Sequence, residues 1–385
     1  EVVSSQHIIN YEYYDLTLEE ALDVQMSQLQ QTDKYRNTPA YIHSNYVEII
    51  ESGVISGNAV RLRTAPEFDN SNIAHTVNNG TAVVILGEVT GALHQNSTKW
   101  YEITYNNQKL YVHSSLANPN GKTARTTSRV NVRSGPGTSY HIFDTLRQGA
   151  TVNIVQEGDT WHEIRIGNWR NPTREDVKFY LDPSNNDEFQ HLDLTSSVGV
   201  SPSELNKVLA GKGILDGLGE AFIEGARTHS VNEIYLIAHA LLETGQGESD
   251  LAQGIEVGLN RSGNHVLVTS SNRNNLTNIR TTYNMFGIGA ADSDARRLGA
   301  IRAYKEGWFT PRAAVIGGAK FIGESYIHNE YNQNTLYKMR WNPANPGYPQ
   351  YATDIAWATK QINRIKDLYD LLENPVLKLN IVRYK

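Results

Sequence analysis

The residue best placed to do chemistry is Glu243. It closes the run Ile234-Tyr235-Leu236-Ile237-Ala238-His239-Ala240-Leu241-Leu242-Glu243, just ahead of Thr244-Gly245-Gln246-Gly247. The run is apolar nearly all round, which predicts a central, buried helix rather than a surface one. A carboxyl at the C-terminus of such a helix faces the negative end of the backbone dipole, and partial burial disfavours its ionised form. Both effects raise its pKa, as a general acid working near neutral pH requires, for example in glycoside hydrolysis. By position alone a solvent-facing helix-end carboxylate is the commoner reading, so the other residues of the chain have to decide.

Other sources of chemistry are few. Gly287-Ile288-Gly289-Ala290 lacks the third glycine and the strand–helix–strand setting of a dinucleotide loop, and Gly211-Lys212-Gly213 lacks the rest of a phosphate loop. The 12 histidines include no His-Glu-x-x-His zinc pattern. His239, one turn before Glu243, reads as a packed or hydrogen-bonded partner of its helix rather than a metal ligand, and no metal or cofactor is expected. No Gly-x-Ser-x-Gly elbow is present. With 0 cysteines, disulfides, thiolate metal sites and cysteine nucleophiles are excluded. A net charge of -6 argues against nucleic acid as the main partner. No apolar run reaches the ~18 residues of a membrane helix, so no membrane segment is read. The opening Glu1-Val2-Val3-Ser4-Ser5 is not a basic-then-apolar signal sequence, and the chain reads as a mature or trimmed product, with any export signal outside it.

A length of 385 residues predicts two to four domains to position these groups. Residues 53–118 and 124–184 form an internal repeat. Val60-Arg61-Leu62-Arg63-Thr64-Ala65-Pro66 is echoed by Val130-Asn131-Val132-Arg133-Ser134-Gly135-Pro136, Trp100-Tyr101-Glu102-Ile103 by Trp161-His162-Glu163-Ile164, and Tyr111-Val112 by Tyr180-Leu181. Short β-branched runs divided by Gly, Pro and Asn suit two small antiparallel barrels, with Trp100 and Trp161 in their cores. Residues 1–52 carry one capping box, Thr17-Leu18-Glu19-Glu20, ahead of Ala21, Leu22, Val24, Met26 and Leu29, and read as a helical or irregular cap on the first barrel. Residues 185–199 are polar and read as a linker. Residues 200–385 are mainly helical: Ser201-x-x-Glu204 and Ser230-x-x-Glu233 open helices, Leu218–His229 and Asp294–Glu306 form two more, Thr310-Pro311 opens another to about Ile327, and a last runs from about Ala352 to Leu372. A strand-like insertion interrupts them between about Gly254 and Tyr283.

Two resemblances sharpen this reading. The repeat resembles the bacterial SH3-like domain, whose Asn-Val-Arg-Ser-Gly-Pro strand and turn is matched well by the second copy and less closely by the first, which has Leu62 and Ala65. This implies binding of wall peptides or cross-bridges, with a spacer role as the alternative. The segment Ala238-His239-Ala240-Leu241-Leu242-Glu243-Thr244-Gly245-Gln246-Gly247 resembles the catalytic segment of glycoside hydrolase family 73, the endo-β-N-acetylglucosaminidases of Gram-positive autolysins. Tyr283-Asn284-Met285-Phe286-Gly287-Ile288-Gly289-Ala290, Ile316–Ile322, Thr335–Pro343 (with Trp341) and Gln350-Tyr351-Ala352-Thr353-Asp354 come after it in family order.

That resemblance implies two SH3-like barrels followed by a mainly α lysozyme-like domain with a small β lobe. It implies a secreted, wall-associated enzyme that cleaves the β-1,4 bond after GlcNAc in peptidoglycan glycan strands. Glu243 carries over as general acid, and Tyr351 as the residue steadying the sugar or its transition state. Asn284, Phe286, Gly287, Asp354 and Trp341 carry over as substrate-binding residues. Glu256, in Gly254-Ile255-Glu256-Val257, is the candidate second carboxylate, although the stretch Gly258–Thr282 is longer than the family's usual hairpin. A substrate acetamido group acting as nucleophile is the alternative to Glu256. Five of these residues also have a plainer reading: core aromatics for Phe286 and Tyr351, caps for Asn284 and Asp354, a strand-edge charge for Glu256. A muramidase or lytic transglycosylase, and a non-catalytic wall-binding protein, are the rival functions.

Overall fold

The computed structural model describes residues 6–51, 53–290 and 294–385. The opening Glu1–Ser5, read above against an export signal, lie outside the described residues. The chain divides into two compact units, residues 31–173 and residues 1–30 joined with 174–385.

Residues 31–173 form two seven-stranded sheets with the same plan. In the first, neighbours run in the order 117–118, 53–55, 82–94, 97–105, 108–113, 60–63, 73–77, all antiparallel. In the second the order is 47–51, 122–126, 151–156, 161–165, 40–43, 130–133, 142–146. Each position in one sheet has its counterpart in the other. Alternating side chains fill separate cores, Leu62, Ile103 and Val112 in the first, Ile42, Val132 and Phe143 in the second.

Strand supply corrects the sequence reading. The counterpart of Gln108–His113 in the second sheet is Ala40–His43, not Tyr180-Leu181. Tyr41-Ile42-His43-Ser44 echoes Tyr111-Val112-His113-Ser114, and both histidines accept a backbone N–H two residues on: Asn45 N to His43 Nδ1 at 3.1 Å, Ser115 N to His113 Nδ1 at 3.2 Å. The first module is therefore inserted between Val47–Glu51 and Lys122–Thr126, two strands of the second that pair directly in register Glu51 to Lys122. A repeat scan in chain order misses this, because the missing strand precedes the first copy. Trp100 is buried and its Nε1 donates to the Ala92 carbonyl at 2.9 Å, whereas Trp161 is half-exposed and meets His43 edge-on at 5.0 Å.

Residues 6–30 do not cap the first barrel as expected. His7–Tyr14 pairs in parallel, residue for residue, with Leu377–Tyr384. The helix Leu18–Met26 forms its capping box as read, Thr17 Oγ1 accepting from Glu20 N at 3.1 Å and Thr17 N donating to Glu20 Oε2 at 2.7 Å. Its Ala21 and Leu22 pack on Val177 and Leu181 of the helix Arg174–Leu181, and on Tyr337 and Trp341. Tyr180-Leu181 thus belongs to a helix of this unit.

Residues 185–199 are no linker either. After the short turn Glu188–His191, Leu192, Leu194 and Val198 are fully buried in the main core. Ser197 Oγ donates to Glu233 Oε1 at 2.7 Å and Val198 N to Glu233 Oε2 at 2.9 Å. Three fully buried apolar residues, with the partly buried Phe189 packed against the same core, are enough to anchor a polar stretch.

Around that core stand the helices Pro202–Leu209, Gly219–His229, Glu233–Glu243, Pro311–Ile322 and Trp357–Tyr369. The central one, Glu233–Glu243, is buried on most faces. Its N-cap is Asn232, whose Oδ1 accepts from Ile234 N and Tyr235 N; Ser230, the expected opener, instead ends the preceding helix in a left-handed conformation. The expected strand insertion is a three-stranded antiparallel sheet, with Ile255–Leu259 between His265–Leu267 and Thr277–Thr282.

Candidate active site

Four-residue spacing puts Tyr235, His239 and Glu243 on one face of the central helix, and that face forms the floor of a groove. Two adjoining cavities, of about 650 Å³ and about 330 Å³, share Tyr235, His239 and Tyr351 as lining residues. Their sizes fall in the range of small-ligand sites.

Glu243 ends the helix and lines the larger cavity. Its side chain is 41% exposed, and burial of the remainder holds its pKa above the usual carboxyl range. The chain then turns away sharply. Thr244 is buried, its Oγ1 donating to the Ala240 carbonyl at 2.6 Å and accepting from Gly247 N at 2.8 Å. Positive φ at Gly245, Gln246 and Gly247 completes the exit. His239 Nε2 lies 4.0 Å from Glu243 Oε1. Burial lowers the His239 pKa to about 4, so the ring is neutral at neutral pH and sets no positive charge beside the carboxyl.

Gly287 closes one side of Glu243, and a Cβ on Gly287 would lie 2.8 Å from Glu243 Oε2. Asn284 shapes this loop. Buried, it donates from Nδ2 to the carbonyls of Ile288 (2.9 Å) and Gly299 (3.2 Å), and its Oδ1 accepts from Phe286 N and Ile288 N. Its polar atoms are committed to backbone, so it positions the loop rather than facing the groove. Phe286 lines the smaller cavity, edge-on to His239 at 5.8 Å and close over Gly318, where any side chain would collide with the ring.

Tyr351 forms the opposite wall. It stacks on Trp357 at 4.4 Å and 23° and lies 5.1 Å from Tyr326. Its phenol pKa is raised, first by burial and then by the nearby Glu243 charge. The Tyr351 loop is built on Arg340, a buried guanidinium that donates to the carbonyls of Asp354 (2.8 Å) and Thr353 (3.1 Å) and to Gln350 (3.1 Å).

The remaining expected residues stand apart. Asp354 accepts from Ala356 N at 2.9 Å and pairs with Lys360 at 2.7 Å; it lines neither cavity and holds the start of the last helix. Glu256, on Ile255–Leu259, pairs with Arg273 and lines neither cavity. Trp341, expected in the cleft, is 1% exposed among Ala21, Leu22 and Tyr337. It falls on the inner face of Leu336–Trp341, a helix the sequence reading did not place, and is a core residue. The reading also passed over Tyr235, Tyr326, Trp357 and Arg364. For Trp357, Gln361 and Arg364 a signal existed, since their spacing places them in one stripe along the helix Trp357–Tyr369.

Among the described residues no cluster of His, Asp or Glu could hold a metal ion. The groove offers one half-buried acid, a neutral imidazole and a wall of stacked aromatics, an arrangement that can donate a proton beside a flat, polar ring.

Comparison with known proteins finds relatives of this chain. Residues 219–370 match the sequence family described as mannosyl-glycoprotein endo-beta-N-acetylglucosaminidase, and residues 58–117 and 128–174 match the bacterial SH3 domain. A beta-N-acetylglucosaminidase of Bacillus subtilis (strain 168) is 45% identical over 280 residues, covering 70% of this chain and 29% of that protein. A bifunctional autolysin of Staphylococcus aureus (strain MSSA476) is 42% identical over 247 residues, covering 63% of this chain and 19% of that protein. The chain thus spans less than a third of the length of either relative. The crystal structure of S. aureus glucosaminidase B shares the fold, with a TM-score of 0.53 at 23% identity over 99% of this chain and 97% of that one.

Proposed function

Because the chain belongs to the glucosaminidase family, glycoside hydrolase family 73, and carries two bacterial SH3 domains ahead of that domain, we propose that it is a peptidoglycan hydrolase cleaving the β-1,4 bond between GlcNAc and MurNAc, with Glu243 as general acid. The observation that carries this reading is the half-buried Glu243 carboxyl in a groove walled by Tyr351 and Trp357. Burial favours the protonated form of Glu243, and the neutral His239 sets no positive charge beside it that would oppose this.

In this mechanism the Glu243 proton moves to the glycosidic oxygen as the bond from that oxygen to C1 breaks. The leaving sugar departs as an alcohol. Positive charge at C1 is met by the carbonyl oxygen of the acetamido group on the same sugar. Water then attacks C1, breaking the bond to the acetamido oxygen and leaving the sugar ring closed, and gives up a proton to the Glu243 carboxylate. Glu256, matched by Arg273 and outside both cavities, favours this substrate-assisted route over a two-carboxylate one. Tyr351, braced by Trp357, supports the ring as it flattens.

The reading extends to a lysozyme-like division of the unit into helices and a small β lobe, the three-stranded sheet around Ile255–Leu259. It places the protein at the cell wall, as a secreted enzyme whose two SH3 domains hold wall peptides or cross-bridges while the glycan strand occupies the groove.

Reducing-end analysis of digested peptidoglycan tests it. New GlcNAc reducing ends are the expected product. MurNAc reducing ends would make the protein a muramidase, and anhydro-MurNAc a lytic transglycosylase; either overturns the assignment.

A further inference from the structure

The mechanism leaves Arg364, a cation in the groove, without a role. Arg364 sits two turns along the helix Trp357–Tyr369 from Trp357 and lines the same 650 Å³ cavity as Glu243. Every other cation of that helix near the groove is matched: Lys360 pairs with Asp354 at 2.7 Å and Lys366 with Asp187 at 2.7 Å. Among the described residues Arg364 has neither a hydrogen-bond nor an ion-pair partner, although Asp367, one turn further, lines the same cavity.

A groove for a neutral amino sugar needs hydroxyl and acetamido partners and an aromatic wall. It does not require an exposed, unmatched guanidinium, whose planar donor fork best suits a carboxylate held by two parallel hydrogen bonds. Gln361 lies beside Arg364 on the same wall and adds an amide that can donate to a carboxylate or accept from a peptide N–H. Resting on the glucosaminidase reading, we propose that the Arg364 end of the groove is a subsite for a carboxylate carried by the glycan. The enzyme then selects acid-bearing strands over neutral ones. Two sources offer this chemistry: the carboxylate of a lactyl ether on the sugar itself, free where no peptide is attached, and the carboxylates of a peptide stem. Asp367 is a built-in counterweight, repelling the same group and limiting how tightly product is held.

Steady-state kinetics on three substrates test this: neutral GlcNAc oligomers, peptide-free GlcNAc–MurNAc strands, and peptide-bearing strands. For Arg364→Ala, the ratio of KM on acidic strands to KM on neutral oligomers should rise roughly 3- to 10-fold, the scale of an accessible charge-assisted pair. Arg364→Lys should recover part of that ratio, and Asp367→Asn should shift it in the opposite direction. A rise confined to peptide-free strands assigns the lactyl carboxylate; one confined to peptide-bearing strands assigns the stem. An active Arg364→Ala enzyme whose KM ratio is unchanged overturns the subsite. A wild-type protein that releases no GlcNAc ends from any of the three overturns the glucosaminidase reading instead, and the two failures are distinct.

Discussion

The Glu243 carboxylate rests against the bare α-carbon of Gly287, with Glu243 Oε2 only 2.8 Å from where a Cβ would stand. The carboxyl is thereby held between two independent elements, the end of the central helix and the loop that Asn284 ties to Ile288 and Gly299. Gly287 also has φ of +64°, in the left-handed region that side chains disfavour.

Gly287→Ala should therefore act twice. Left-handed strain costs about 1 kcal/mol, and the new methyl displaces the carboxyl from its place. We expect a fall in thermal midpoint of a few degrees together with a kcat at least tenfold lower, with KM little changed. A fully active variant of lowered stability would show that Gly287 serves the backbone alone.

The buried imidazoles set a dependence on pH. Burial lowers the pKa values of His239 and His191 to about 4 each, from 6.5. The unfolded chain therefore binds more protons than the folded one between those values, and stability is lost as pH falls from about 6.5 toward 4. His239→Gln should flatten that decline, read as the thermal midpoint against pH. Glu243 works in the other sense. Its raised pKa means the folded state holds its proton longer, so stability falls as pH rises above the ordinary carboxyl range, and Glu243→Gln should be more stable than wild type at neutral pH but not at pH 4.

Residues 6–30 support the site from a distance. Gln30 is buried against Arg340, Gln25 Nε2 donates to the Trp341 carbonyl at 3.1 Å, and Gln350 Nε2 donates to Gln25 Oε1 at 2.7 Å. Gln30→Ala leaves the Arg340 guanidinium short of an acceptor, a loss on the order of 1–3 kcal/mol in urea unfolding. Because Arg340 carries the Tyr351 loop, kcat should fall severalfold as well; unaltered kinetics would uncouple the two.

Nesting of the β modules gives an asymmetric expectation. Excising residues 53–120 and joining Glu51 to Lys122 through a short turn should leave the second module folded, because those residues are already register partners. Removing residues 40–51 should unfold it, because two of its seven strands go with them. Protection of Val132 and Ile164 amides from hydrogen exchange distinguishes the outcomes. Loss of protection in the first case would contradict the nesting.

What could be read from sequence was what local pattern encodes. The apolar run to Glu243, the Thr17 capping box, the Thr310-Pro311 helix start and the strand insertion before Tyr283 all appear in the structure where the residues placed them. What could not be read depends on partners far along the chain. The strand Ala40–His43 pairs with Val130–Arg133 and Trp161–Arg165, both far along the chain past an inserted module. His7–Tyr14 finds its partner at the other end of the chain, and Trp341 is buried by the helix Leu18–Met26. Within the groove, Tyr235 and Trp357 were hidden for the opposite reason: an aromatic on a buried helix looks the same in sequence whether it faces core or cavity.

The claim that Glu243 donates the proton is tested most directly by varying what it protonates. Glu243→Gln should be compared with wild type on GlcNAc oligomers, whose leaving sugar needs a proton, and on oligomers ending in a dinitrophenyl glycoside, whose leaving group does not. A loss of roughly a thousandfold or more on the first and a much smaller loss on the second is predicted. Equal losses on both, or full activity on the natural linkage, would remove Glu243 from the role of proton donor.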